Sequence, residues 1–229
     1  MSSFDFDVIA RSLPHLFLDG MRFTLTLTLL AGAGGLLLGT AVALLRLSGN
    51  RVLAAVAAGY VNLVRSLPLV LVIFWFYFLV PYIAQWITGS RRPVQVGAFS
   101  SALITFIVFE AAYFSEIVRA GIGAIPRGQF MAGQAIGLRP AQVTRYIILP
   151  QVFRTMLPVM LTQTIILFQD TSLVYVIGLI DFLGAASQVA QRDSRLVEMY
   201  SFVAVIYFAM SFTASRGIRR LQSAFAIPR

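Results

Sequence analysis

The chain has 229 residues, 59% of them hydrophobic and 12% charged, with 18 basic side chains against 9 acidic ones and a mean hydropathy of +0.83. That usage is far from a soluble domain's and puts the chain in a bilayer as an integral membrane protein. No cysteine is present and His15 is the lone histidine, which excludes disulfide, thiolate and histidine-based metal or catalytic chemistry, and the absence of lysine excludes a Gly-Lys-Ser/Thr phosphate loop.

Residues 1–22 carry acids before the first apolar run and lack a basic leader, so they read as a periplasmic or interfacial segment with no cleaved signal peptide. A helix needs roughly 20 apolar residues to cross ~30 Å of hydrocarbon, and five stretches meet that length. The first, 23–45, holds Gly35 and Gly39 at small-xxx-small spacing, which suits close helix packing. The second, 68–87, is dense in aromatics from Phe74 to Phe78, read as lipid-facing and packing surface, and ends with Tyr82 and Trp86 as an interfacial belt. The third, 96–118, contains Glu110 and Glu116. The fourth, 158–180, contains Gln163, Gln169 and Asp170. The fifth, 197–215, precedes a basic tail at 216–229.

Every basic residue is an arginine, so orientation rests on one residue type. The loop between spans one and two (Arg46, Arg51, Arg65), the loop between three and four (Arg119, Arg127, Arg139, Arg145, Arg154) and the tail (Arg216, Arg219, Arg220, Arg229) would share one side. The remaining arginines are diluted by Asp5, Asp7, Asp19, Asp181, Asp193 and Glu198. The positive-inside rule then places the amino terminus outside and the 119–157 loop and tail in the cytoplasm. These arginines edge the membrane instead of forming a stripe with stacking aromatics, so nucleic acid is not an expected partner.

The polar segment 128–150 has helical spacing that puts Ala132, Ala135 and Ile136 on one side. Gly137 suits the left-handed residue that ends a helix, and Pro140 suits the first turn of the next. A second short helix, 141–148, carries Val143 and Ile147 on one face and is expected to stop before Pro150. The result is a helix-turn-helix knob, either docking a cytoplasmic protein or lying on the membrane surface.

Gly137, nine residues, then Ile147-Ile148-Leu149-Pro150 resembles the cytoplasmic loop of membrane subunits of bacterial ABC importers, whose pattern is Glu-Ala-Ala, three residues, Gly, nine residues, Ile-x-Leu-Pro. Met131, Ala132 and Gly133 stand where the family has Glu-Ala-Ala. A literal Glu110-Ala111-Ala112 lies inside a span, with Glu116 where the glycine would be, and is a decoy. Arg65-Ser66-Leu67-Pro68 is similar to the Arg-Gly-Thr-Pro of the polar amino acid branch. Ala112-Tyr113-Phe114-Ser115-Glu116-Ile117-Val118-Arg119 is similar to its Ala-Tyr-x-x-Glu-Ile-x-Arg, and Asp170-Thr171-Ser172-Leu173 to its Lys-Asp-Thr-Ser-Leu, with Gln169 replacing lysine. The stretches 109–113 and 167–175 most resemble permeases of glutamate/aspartate importers.

That resemblance implies an all-α type I ABC importer transmembrane domain (23–215) in a bacterial inner membrane. It implies no cofactor, no metal and no catalysis in this chain. It implies two ABC ATPase subunits, a second permease subunit, the same chain or a different one, and a periplasmic substrate-binding protein. Met131, Ala132, Gly133, Gly137, Ile147, Leu149 and Pro150 would seat the knob in the ATPase.

Ionisable groups inside the bilayer cost about 2.5–3.5 kcal/mol each on insertion scales and need partners or water. Asp170 lies ~18 Å beyond Pro158 at ~1.5 Å per residue, near the midplane. With Gln169, Thr171 and Ser172 it either lines a translocation path or caps a helix break. Glu110, about 9 Å from Glu116 along its helix, either lines the path or pairs with an arginine of a neighbouring helix, and Glu116 is expected to pair locally with Arg119. The competing class is a self-sufficient secondary transporter or channel using Glu110 and Asp170 as a relay. Five spans without an internal repeat count against it.

Overall fold

A computed structural model describes residues 4–94 and 96–225, and among them the regular structure is entirely helical. Helix α1 (Phe6–Pro14) starts at Asp5, whose carboxylate accepts from the amides of Asp7 at 2.9 Å and Val8 at 3.3 Å. A π-helical stretch, His15–Met21, joins it to α2 (Arg22–Arg46), so one helical run extends over Phe6–Arg46. The segment 1–22 is therefore helical from Phe6 and continuous with the first span.

The first connection is itself a helix. Asn50 caps α3 (Arg51–Arg65), accepting from the amides of Val52 and Leu53. Its buried residues Ala57, Val61 and Val64 fall at helical spacing on one face. Its two arginines, Arg51 and Arg65, stand at its ends, and in sequence the segment reads as the loop between the first two spans. Pro68 then opens α4 (Leu69–Phe74), and α5 (Val80–Thr88) ends at Gly89, φ 65°.

Between α4 and α5 lies a π-helical turn, Trp75–Leu79, ending two residues before Pro81. The same device recurs later in Thr144–Ile148, two residues before Pro150. In each, the residue just before the proline donates five residues back, Val80 to Trp75 and Leu149 to Thr144. Proline has no amide hydrogen and its ring crowds the carbonyl four residues back, so a widened turn lets the helix pass through it.

Helix α6 (Ala98–Gly123) is the most buried span and packs along α2. At Gly35 a Cβ would lie 2.7 Å from Cβ of Glu110, and at Gly39 2.7 Å from the Ala111 carbonyl oxygen. These glycines set the backbone approach that the small-xxx-small spacing predicts. After the short helices α7 (Arg127–Ala135) and α8 (Pro140–Val143), α9 (Leu149–Asp170) continues as a 3₁₀ segment, Thr171–Ile177, and stops at Gly178, φ 79°. Helix α10 (Phe182–Arg192) packs Ala185, Ala186 and Ala190 inward, and α11 (Leu196–Phe225) runs past the boundary expected at 215.

Leu27, Val61, Ile73, Phe106 and Leu167 meet in the main core. Ala43, Val118, Val152 and Met156 close the end next to α7 and α8, whereas Val8, Leu16, Phe182 and Met199 close the other end. Exposed Leu29, Leu37, Trp86 and Phe208 face outward, as a bilayer solvent allows.

Candidate coupling surface and intramembrane polar groups

Helix α7 ends in a complete Schellman motif. The Leu138 amide donates to the Gly133 carbonyl at 3.2 Å, the Gly137 amide to that of Gln134 at 2.9 Å, and Gly137 takes φ 87°. Pro140 opens α8, where the Gln142 side-chain oxygen accepts from the Arg139 amide at 2.9 Å. Val143 on α8 is fully buried beneath Gly133. A Cβ at 133 would stand 2.8 Å from Val143 Cγ2 and 2.9 Å from Ile147 Cδ1. The glycine where the family pattern has its second alanine is thus what lets the two short helices close on each other.

The seven residues expected at the coupling surface separate into two groups. Met131 is 68% exposed, Ala132 is exposed, and Ile136 beside them is 74% exposed. Gly133 and Ile147 instead form the internal brace, and Gly137 the turn. Leu149 and Pro150 are exposed at the start of α9. The expected stop before Pro150 does not occur, because the π-helical turn carries the helix from Pro140 through to Ile177. The second helix of the knob is therefore the first part of a continuous 38-residue helical run, Pro140–Ile177.

At the adjoining membrane edge, Arg119 Nη2 donates to Glu116 Oε1, and Arg46 Nη1 donates to Glu116 Oε2 at 2.5 Å. The local pair is present, and Arg46 at the end of α2 joins it. Arg65 lies 5.4 Å from the Tyr113 ring centre, and the Tyr60 hydroxyl of α3 donates to the Val108 carbonyl. Burial holds the Tyr60 phenol up at about 12.

Glu110 is fully buried between α2, α6 and α9, against Gly35. Among the described residues no arginine pairs with it, and Gln163 Nε2 donates to its two oxygens at 3.1 and 3.3 Å. Gln163 is a site residue that sequence reasoning left out, although an amide in an apolar span is itself a signal. Gln169 is exposed and its Nε2 donates to Ser211 Oγ on α11 at 3.0 Å. Asp170 is half-buried at the change from α to 3₁₀, and its side chain makes no capping bond. Thr171 is buried and donates back to the Phe168 carbonyl at 2.7 Å, with Ser172 half-buried beside it. So the expected polar path residues mark one helix transition, while Glu110 belongs to a separate buried contact.

At the far end, Asp181 caps α10, its oxygens accepting from Gly184 at 2.9 Å and Leu183 at 3.0 Å, and the Phe182 amide donates to Thr24 Oγ1 at 3.0 Å. Burial pushes the Asp181 carboxyl up to about 6, partly offset by those two amides. Arg11 of α1 reaches Asp193 at 2.8 Å, and Arg192 with Arg11 holds that carboxyl below its usual range. Among the described residues no cluster of three or more His, Cys, Asp or Glu side chains is placed to hold a metal ion.

Residues 35–226 match the model of a family described as binding-protein-dependent transport system inner membrane component. The glutamate/aspartate import permease protein GltK of Escherichia coli O6:H1 is 48% identical over 215 residues, covering 94% of this chain and 95% of that one. The glutamine transport system permease protein GlnP of Escherichia coli K12 is 32% identical, covering 96% of each. A crystal structure of an amino acid ABC transporter with histidines superposes with a TM-score of 0.86 at 30% identity, covering 97% of this chain and all of that one. A methionine ABC transporter in an inward-facing conformation superposes at 0.72 and 20% identity, covering 99% of this chain and all of that one, and shares the fold. Knob, five apolar helices and these likenesses agree: the chain belongs to the binding-protein-dependent transport system inner membrane components, as a permease subunit of an amino acid ABC importer.

Proposed function

We propose that this chain is one half of the translocation path of an importer for glutamate and aspartate, driven by a separate ATPase that docks on the knob formed by α7 and α8. The observation that carries this reading is the exposed apolar cluster Met131, Ala132 and Ile136 on a knob braced by Gly133 against Val143. Because α8 runs through Pro150 into α9 without a break, a displacement of the knob is delivered along one helix to the 3₁₀ segment at Thr171–Ile177. A 3₁₀ stretch of that length has strained hydrogen bonding and suits a hinge.

The chain itself is non-catalytic in this reading. Its partners are ABC ATPase subunits, a second permease subunit and a periplasmic binding protein, with the knob in the cytoplasm and α10 toward the periplasm. The acidic substrate is supported by the GltK relative at 48% identity. It is also compatible with the membrane charges, since Glu110 is enclosed and bonded to Gln163 and so does not present its charge to an anionic solute. The relay reading needs Glu110 to exchange protons with Asp170, and that same enclosure counts against it.

Affinity purification of the full chain expressed with its ATPase subunit tests the docking. Gly137→Glu and Leu149→Glu are expected to abolish co-purification while leaving the chain in the membrane. Undiminished ATPase recovery with both variants would overturn the docking role.

A further inference from the structure

At the end remote from the knob, a cavity of about 680 Å³ opens between the start of α2 and the end of the 3₁₀ segment. Asp19 and Arg22 stand at its mouth, Phe23 and Phe99 form an edge-to-face pair at 5.7 Å within its wall, and Leu179 faces them from beyond Gly178. Asp19 is steadied by His15, whose Nδ1 lies 2.9 Å from Oδ2, which leaves Oδ1 open. Arg22 has no ion pair among the described residues, not even with Asp19 three residues away. One acid and one base therefore sit side by side, both exposed and neither satisfied by the other.

We infer that this cavity binds the headgroup of a zwitterionic phospholipid carrying a primary ammonium, phosphatidylethanolamine, in the leaflet opposite the knob. Arg22 donates to the phosphate, a match for its planar fork of N–H groups. Asp19 accepts from the ammonium, and the Thr26 hydroxyl, one turn deeper, offers the phosphate a further donor. The apolar part of the occupant also has its track: Leu25 and Leu29 follow Arg22 at three and seven residues on one helical stripe and are 40% and 69% exposed. A free amino acid matches the two charges but leaves that stripe and the aromatic wall unused. Arg22 stands at the boundary where the uncharged run begins, the depth at which arginine reaches headgroups.

Native mass spectrometry of the assembled importer, released from nanodiscs holding equal parts of phosphatidylethanolamine, phosphatidylglycerol and phosphatidylcholine, tests this. The expected result is retention of phosphatidylethanolamine at least tenfold over the other two. Phosphatidylglycerol lacks the ammonium, and the choline nitrogen has no hydrogen to donate. Arg22→Gln and Asp19→Asn, both at exposed positions outside the core, should each remove that preference, and Thr26→Trp should do so by crowding the headgroup away from Arg22. Equal retention of all three lipids, or a preference unchanged in Arg22→Gln and Asp19→Asn, overturns the assignment. Displacement of the bound lipid by free glutamate reassigns the cavity to a solute and overturns it as well.

Discussion

Gly133 and Val143 approach so closely that a Cβ at 133 would stand 2.8 Å from Val143 Cγ2. Gly133 directly follows the exposed Ala132 and Val143 lies buried beneath it, so together they fix the angle at which Met131 and Ile136 are presented. Gly133→Ala should therefore overpack the knob, at about 1–3 kcal/mol by the general cost of forced methyl groups. Val143→Ala in the same chain should recover most of that loss, and a double-mutant cycle in thermal unfolding reads the coupling. Additive losses would mean that the two helices part freely.

Gly137 holds φ 87°, where a side chain is strained. Gly137→Ala should lower stability by about 1–2 kcal/mol, and Gly137→Asn by less, since asparagine tolerates this conformation best among non-glycine residues. Hydrogen exchange at the amides of Gly137 and Leu138 reports the loss directly, and equal protection in both variants would contradict it.

Removing one member of the Glu110–Gln163 pair strands the other away from water. Gln163→Leu should cost about 1–3 kcal/mol, the penalty for an unsatisfied buried group, and more if the carboxyl stays ionised. Glu110→Gln should be milder, because two amides can still bond. If Gln163→Leu leaves both melting temperature and uptake unchanged, the contact carries no weight in the fold.

Asp181 gives a pH dependence with a definite sign. Its folded carboxyl titrates at about 6, above the ordinary 3.8, because burial disfavours the charge. Between those values the folded chain holds a proton that the unfolded chain has released, so stability falls as pH rises through about 4 to 6 and levels off above. The span of about two pKa units corresponds to on the order of 3 kcal/mol. Asp181→Asn keeps one acceptor oxygen for the cap and removes that slope. Melting curves taken across the window compare the two, and parallel slopes would assign the titration to another group.

The five spans could be read from apolar runs because length and lack of charge suffice for a bilayer helix. The turn at Gly137 and Pro140 was equally open, since both conformational demands are local. Helices α3 and α10 are hidden in the sequence, because arginines at a membrane edge and a run of small residues each look like connection. The passage of the chain through Pro150 depends on a widened turn that no residue type specifies. Gln163 as partner to Glu110, and Arg46 as partner to Glu116, required the packing of α2, α6 and α9, which set residues 53 and 70 positions apart side by side.

Vesicles holding this chain with its permease partner and binding protein, assayed for uptake of labelled glutamate with and without the ATPase subunit, bear most directly on whether movement here is driven by hydrolysis elsewhere. Uptake that appears only with the ATPase and ATP, and is lost with Leu149→Glu, is the expected result. Glutamate uptake of equal rate in vesicles lacking the ATPase would contradict it.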